Sequence, residues 1–267
     1  MKPESKDVEK TFNQPDIHQK WTDSYRNEEN ENFYNQAFDY ITGVLNAGEN
    51  AGFLDAGCGS GAHSVHLANR GFSVLAVDFS KSALEAAEQN LRNSGLTDRI
   101  TLQQENILSL SFDDGTFDYI LCWGVLMHMP DIERAISELD RVLKKNGTLV
   151  ISEGNMFSLQ SMILNSLKLI TKKAAMKKTP AGLEFWKQTP SGNLLTRQAD
   201  TGWLKKRFRS RGFIVRKHVP GQFTELYAKF SSPLIKKFIH YFNHLWFKYV
   251  RIPHLAFGNI IILEKRV

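Results

Sequence analysis

The sequence predicts an α/β fold built around a parallel, doubly wound sheet, and two observations carry that prediction. Strand-like and helix-like segments alternate across residues 52–153, and alternation at this spacing covers each face of a parallel sheet with crossover helices. Between the first strand and the first helix stands a bend in which Asp55 is followed by Gly57, Gly59 and Gly61. Glycines at alternate positions let the backbone turn sharply and approach a ligand, because no Cβ stands in the way. The spacing is G-x-G-x-G rather than G-x-G-x-x-G, which counts against NAD or FAD.

Residues 1–15 are polar, and disorder is expected at the start. Residues 17–45 hold Trp21, Tyr25, Phe33, Tyr34, Phe38, Tyr40 and Ile41 among acids and amides, which suggests one or two helices. Strands are expected near 52–57, 72–78, 100–105, 117–122 and 147–153, and helices near 61–70, 80–94 and 131–144. Ser80 and Asp131 supply helix-start chemistry, while Gly71, Gly95 and Gly147 mark stops or turns. Residues 155–200 interrupt the alternation: Phe157, Leu159, Met162, Ile163, Leu167 and Ile170 recur near helical spacing, and loops follow at Gly182, Pro190 and Gly192. A last helix is expected at 201–212, a sixth strand at 213–219 and a seventh at 257–263. Between those two strands, residues 221–255 form a second insertion. There Phe238, Tyr241, Phe242, Leu245, Trp246 and Tyr249 share one helical face, and Lys236, His240, His244 and Lys248 step along another.

Charge divides the chain more sharply than its net +6 suggests: residues 1–156 carry a net −11 and residues 157–267 a net +17. A basic half faces an anionic partner or is simply solvated. An aromatic, basic helix at 232–250, with the basic run through 157–178, suits peripheral contact with an anionic membrane surface. The same aromatic face could instead pack on the first insertion as a roof over a substrate. Two cysteines make no disulfide framework. The first ten residues lack the apolar core of a secretory signal, and there is no run of 18 apolar residues to span a membrane. The expected location is therefore cytoplasmic, with peripheral contact at a membrane.

Five segments in register, from the bend at 55–61 through Asp78, Asn106, the strand ending at Cys122 and the strand after Asn146 and Gly147, resemble the class I S-adenosylmethionine-dependent methyltransferase family, of the small-molecule kind. The resemblance covers residues 53–153 and implies a seven-stranded, Rossmann-like sheet, mostly parallel with its last strand antiparallel. It also implies an N-terminal helical lid over residues 1–45 and a catalytic domain over 46–267 with helical insertions at about 155–200 and 221–255. By this resemblance Asp55, Gly57, Cys58, Gly59 and Gly61 hold the methionine moiety, Asp78 the ribose, and Phe79, Asn106 and Ile107 the adenine. Cys122 lies along the cofactor, and Trp21 and Tyr25 are lid residues able to touch it. Asn106 stands where the family more often has Asp.

The implied cofactor is S-adenosyl-L-methionine, and the implied reaction is in-line transfer of its methyl group to a nucleophile. A hydroxyl acceptor needs a base, and His128, just past the fourth strand, is the candidate. His63 and His66 read as surface or packing residues, and no metal-ligand cluster stands out. There is no Asp/Asn-Pro-Pro-Tyr/Phe tetrapeptide after the fourth strand and no Pro-Cys nucleophile, which disfavours base and glutamine methylation. The expected acceptor is a hydroxyl or amine of a small molecule, glycan or lipid-linked intermediate. The rivals are an RNA methyltransferase that uses the basic half and a non-catalytic cofactor-binding protein at a membrane surface.

Overall fold

A computed structural model describes residues 5–14, 28–48, 51–171 and 176–267. Trp21 and Tyr25 lie outside the described residues. Helices α1 (Ser5–Phe12) and α2 (Glu28–Leu45) precede β1 (Gly52–Ala56), α3 (Ala62–Ala68), β2 (Ser73–Asp78), α4 (Lys81–Ser94), β3 (Ile100–Gln104) and β4 (Phe117–Trp123). A 3-10 turn (Leu126–His128), α5 (Ile132–Val142) and β5 (Leu143–Gly154) complete the first half. Then come α6 (Leu159–Thr171), β6 (Met176–Thr179), β7 (Gly182–Thr189), β8 (Gly192–Ala199), α7 (Thr201–Arg209), β9 (Phe213–Pro220), α8 (Pro233–Leu245) and β10 (Gly258–Lys265).

Seven strands form one sheet in the order β3-β2-β1-β4-β5-β10-β9. β10 runs antiparallel to both β5 and β9, and the other pairings are parallel, as the resemblance implied. The order reverses at β1, which pairs with β2 on one side and β4 on the other. Strands leaving in opposite directions open a crevice at their carboxyl ends, the usual ligand position in such sheets. The central strands are buried on both faces because helices cover both: Phe53, Leu54, Ile120, Leu121, Val150 and Ile151 are each no more than 1% exposed. Helix starts follow their caps: Ser80 Oγ accepts from Ala83 N–H and Asp131 Oδ1 from Arg134 N–H.

Three expectations need correction. The first concerns the start of the chain, where disorder was expected. Residues 5–12 are helical, and Val8 and Phe12 bury themselves against Leu195 of β8. The second concerns residues 155–200, where the described helix is Leu159–Thr171. Beyond it lies a separate three-stranded antiparallel sheet, β6-β7-β8. Its turns use Gly182 and Gly192, so the glycines read as loop markers are hairpin turns. The third concerns residues 221–255. Here the aromatic face of α8 points outward, with Phe238 71% and Tyr241 62% exposed, so it is not a roof over the site. The packed side carries His240 and Asn243, whose amide closes onto the backbone of Thr224.

A few cations of the basic half pair with the acidic half. Arg207 and Arg211 meet Glu133, and Lys265 meets Asp140. The most enclosed pair lies in the small sheet, where Arg197, 2% exposed, binds Glu184 at 2.8 Å. The same guanidinium donates through Nη1 to the carbonyls of Leu126 and Met129, so it fastens the small sheet to the turn after β4. Removing one partner of such a pair strands a buried charge. Arg197→Met is therefore expected to lower unfolding free energy by about 3–5 kcal/mol. Breaking the exposed pair Arg92–Glu88 by Arg92→Met is expected to cost about 0.5 kcal/mol or less. Urea denaturation of the two variants checks the contrast.

Candidate functional site

The glycine bend is tied to the end of β2. The N–H groups of Gly57 and Cys58 both donate to the carbonyl of Val77, at 2.8 and 2.9 Å, and Gly59 N–H donates to Asp78 Oδ2 at 2.9 Å. Gly57 and Gly59 both have positive φ, +82° and +54°, where an L side chain is strained. A Cβ on Gly57 would stand 2.6 Å from a Val125 methyl, whereas one on Gly59 would project into open space. The Gly59 backbone thus faces a cavity directly.

That cavity, of ≈ 470 Å³, opens at the carboxyl ends of the strands. Of the residues expected to form a site, Gly57, Cys58, Gly59, Asp78, Phe79, Ile107 and His128 line it. Four others stand behind its wall. Asp55 is buried under the bend, where its Oδ2 accepts from Ser64 Oγ at 2.6 Å, and burial pushes its carboxyl up to about 7. Gly61 starts α3 against α4, where a Cβ would meet Leu91 and Ala87 at 3.2 and 3.3 Å. Asn106 closes its own turn, accepting from Leu108 N–H and donating to Glu9 of α1. Cys122 is fully buried in the core, and burial pushes its thiol well up. These four shape the crevice and do not face it.

Asp78 combines two tasks. Oδ1 accepts from Ser80 N–H and Oδ2 from Gly59 N–H, each at 2.9 Å. Carboxylate oxygens accept more than one hydrogen bond, so a group that holds the bend can also receive a ligand's hydroxyls.

His128 sits across the cavity from the bend, on the 3-10 turn after β4. Its Nδ1 is 2.7 Å from the carbonyl of Leu195 in β8. A carbonyl only accepts, so Nδ1 carries the proton and Nε2 is the basic nitrogen. Burial, with some repulsion from Arg197, pushes its pKa down to about 4, and the ring is neutral at physiological pH. Phe12 of α1 meets the ring edge-on at 5.0 Å.

Several lining residues carried no sequence signal of their own. His63 is packed on Trp123 and Tyr34, with ring centroids 4.9 Å apart in both pairs, so this histidine belongs to the cavity wall. His66, by contrast, is a packing residue, 5% exposed and bridged to Glu31. Glu153 is the last but one residue of β5, is 3% exposed and lines the cavity beside Ser152 and Gly154. Its position at a strand tip next to the switch point was the one available clue. Arg197 and Leu195 act from the insertion, whose sheet the hydrophobic pattern did not reveal. Among the described residues no cluster of three or more His, Cys, Asp or Glu side chains could hold a metal.

Residues 54–151 match the family model described as "Methyltransferase domain". The chain is 33% identical over 113 residues to a demethylmenaquinone methyltransferase of Bacillus subtilis, covering 41% of this chain and 48% of the relative. It is 30% identical over 152 residues to a ubiquinone biosynthesis O-methyltransferase of Methylococcus capsulatus, covering 57% of this chain and 62% of the relative. It thus spans less than two-thirds of the length of these curated relatives. Among solved structures, a magnesium protoporphyrin IX methyltransferase from Synechocystis superposes with a TM-score of 0.65 at 17% identity, covering 98% of this chain and all of that one. At that identity the likeness concerns the fold.

The depressed His128 pKa has a consequence for stability. Between about 4 and its ordinary 6.5 the unfolded chain binds a proton that the folded chain refuses. The stabilising contribution is full above 6.5 and is lost as pH falls towards 4. His218 is depressed the same way, to about 4, so it shares the effect. The loss of Tm between pH 7 and pH 4.5 is expected to shrink, not vanish, in His128→Gln. A loss as large as that of the wild type would show that the ring titrates normally in the fold.

Proposed function

Since residues 54–151 carry a methyltransferase domain of the class I S-adenosylmethionine-dependent family, we propose that this chain transfers a methyl group to a hydroxyl or amine of a small molecule, glycan or lipid-linked intermediate. The observation that carries the reading is the pairing, across one cavity, of the Gly57–Gly59–Asp78 cradle with a neutral His128 whose tautomer is set by Leu195. The cradle suits S-adenosylmethionine: open space over Gly59 admits the ligand, Asp78 receives ribose hydroxyls, and Phe79 and Ile107 flank the adenine. When bound, that cofactor supplies an electrophilic methyl group on a sulfonium. Among the described residues that line the cavity there is no Lys or Arg, whereas Asp78, Glu105 and Glu225 are there. A cavity of this sign favours a cationic donor and an uncharged acceptor.

The protein's task is then alignment and proton removal. Holding donor and acceptor in line can supply roughly 7–11 kcal/mol of the barrier. Nε2 of His128 takes the acceptor's proton as the oxygen attacks, and the Nδ1–H bond to Leu195 holds the ring in place. His128→Gln is expected to lower kcat by roughly 10²–10⁴-fold while S-adenosylhomocysteine affinity, read by calorimetry, stays near that of the wild type. Radiolabelled S-adenosylmethionine with fractionated lysate identifies the acceptor. Label is expected in lipid, polysaccharide or small molecules; label in RNA would replace this reading. Donor binding with no label in any fraction would make the chain a non-catalytic binder. The acidic cavity speaks against RNA.

The outer surface supports an acceptor met at a membrane. No helix among the described residues is long and apolar enough to cross one. Met162, Ile163 and Leu167 of α6 and Leu234, Phe238 and Tyr241 of α8 are each more than half exposed. Residues 157–178 and 226–255 contain no Asp or Glu, and Lys177, Lys178, Lys236, Lys237 and Lys248 are exposed among them. The two helices are joined through Thr224, which binds Gln160 of α6 and Asn243 of α8, and the adjoining Glu225 lines the cavity. Exposed apolar groups with exposed lysines on the same and neighbouring segments suit an anionic lipid surface, with rings in the acyl boundary and cations at phosphates. Flotation with phosphatidylglycerol vesicles, and not with phosphatidylcholine alone, is expected. Phe238→Ser with Leu234→Ser should weaken it about ten-fold or more, and higher salt should weaken it further. Equal binding to both lipids, or none, would remove the membrane from the reading.

A further inference from the structure

Tyr34 of α2, His63 of α3 and Trp123 of β4 line the cavity together, each half-buried. Ring centroids are 4.9 Å apart for Tyr34–His63 and for His63–Trp123, and 6.0 Å apart for Tyr34–Trp123, so each ring meets the other two. Phe38, 0% exposed, stacks on Trp123 and His63 at 5.5 and 5.7 Å and braces them from the core. The sheet register tells what the cluster stands beside. β1 pairs with β4 through Asp55↔Leu121, so the parallel ladder, carried on to the bend, brings Gly57 level with Trp123. His63 follows the bend directly, as the second residue of α3. Asp78 ends β2, on the other side of β1. Neighbouring strands lie about 4.8 Å apart. The strand tips therefore run from the Asp78 carboxylate, across the glycine ledge, to the rings.

A donor with its ribose at Asp78 and its adenine by Phe79 and Ile107 crosses the ledge with its sulfonium end toward these rings. A sulfonium is awkward to hold, since it carries a full charge and has no N–H or O–H to donate. The two carboxylates at the bend are already engaged: Asp55 with Ser64 behind the wall, and Asp78 with the N–H groups of Gly59 and Ser80. The ring faces of Trp and Tyr are electron-rich and attract a cation without a hydrogen bond. Resting on the methyltransferase reading, we propose that Trp123 and Tyr34, braced by His63 and Phe38, form the sulfonium subsite and distinguish the methylated donor from its demethylated product. The distinction lies in charge. As the acceptor oxygen bonds to the methyl carbon, the C–S bond breaks with its electron pair left on sulfur, and the acceptor's proton goes to Nε2 of His128. The product is then a neutral thioether that the ring faces no longer hold. Trp123 and Tyr34 are in this sense donor-binding residues and leave the proton transfer to His128.

The test titrates the full chain by calorimetry with S-adenosylmethionine and, separately, with S-adenosylhomocysteine, which lacks the charge. Trp123→Leu is expected to weaken S-adenosylmethionine about ten-fold while S-adenosylhomocysteine stays within about two-fold of wild type. Trp123→Phe, which keeps a ring face, should recover most of that loss. Tyr34→Leu should show the same selective loss, and Tyr34→Phe should bind both ligands like the wild type. Should Trp123→Leu not fold, the two Tyr34 variants decide alone by the same criterion. Equal weakening of both ligands would make the cluster a packing wall and overturn the proposal. No weakening of either would give the rings to the acceptor and overturn it too, as would Phe variants no better than the Leu variants. Absence of binding of both ligands in the wild type would instead sink the methyltransferase reading on which the proposal rests.

Discussion

The carbonyl of Val77 is the point on which the site turns. Two successive N–H groups, from Gly57 and Cys58, converge on it, and the next strand residue, Asp78, takes the N–H of Gly59. These bonds close the bend after β1 onto the tip of β2, so the two strands present their ends as a single ledge. The bend needs positive φ at Gly57 and Gly59, and at Gly57 it also needs the space that Val125 fills. A side chain at Gly57 would push on Val125, next to the turn that carries His128. Cradle and proposed base are therefore coupled through packing as well as through the sheet.

The opposite wall is built differently. His128 belongs to a short turn after β4, and a turn of one 3-10 coil has little rigidity of its own. Its order is borrowed from three directions. Glu153 holds the Leu126 N–H, Arg197 holds the carbonyls of Leu126 and Met129, and Leu195 holds the imidazole. Two of these three come from the small sheet inserted after β5. The insertion is thus a scaffold for the reacting side of the cavity, joined to it by a buried ion pair whose loss would leave a charge in the core. α1 lies over the same sheet, with Phe12 against both Phe79 and His128, so it touches both walls.

Charge follows the same division of labour. The cavity collects carboxyl groups, Arg207 of α7 and Lys265 of β10 pair with the acidic half, and α8 carries exposed lysines beside exposed apolar side chains. A single figure for net charge conceals all three. The basic half does not form one uniform cationic face, which is why its charge alone carries little weight for a nucleic-acid partner.

By itself the sequence determined the parallel, doubly wound part of the main sheet, because strand and helix periods differ and each crossover covers a buried strand; the count of seven strands and the antiparallel last one were implied by the family resemblance. It also signalled the ledge, since glycine is favoured at the positive φ of Gly57 and Gly59 and since Asp78 falls at a strand tip. Tertiary structure alone decided which of the signalled residues face the cavity. Asp55, Gly61, Asn106 and Cys122 share the motif's spacing, yet a side chain's direction depends on neighbours that are distant in sequence, such as Ser64 and Leu91. The small sheet was hidden because short amphipathic strands joined by glycine turns read as loops. Glu153, Arg197 and Leu195 were hidden with it, since their roles arise only where the sheet meets the turn after β4. The outward aromatic face of α8 was equally undecidable from its period, because amphipathicity reports a face and not what covers it.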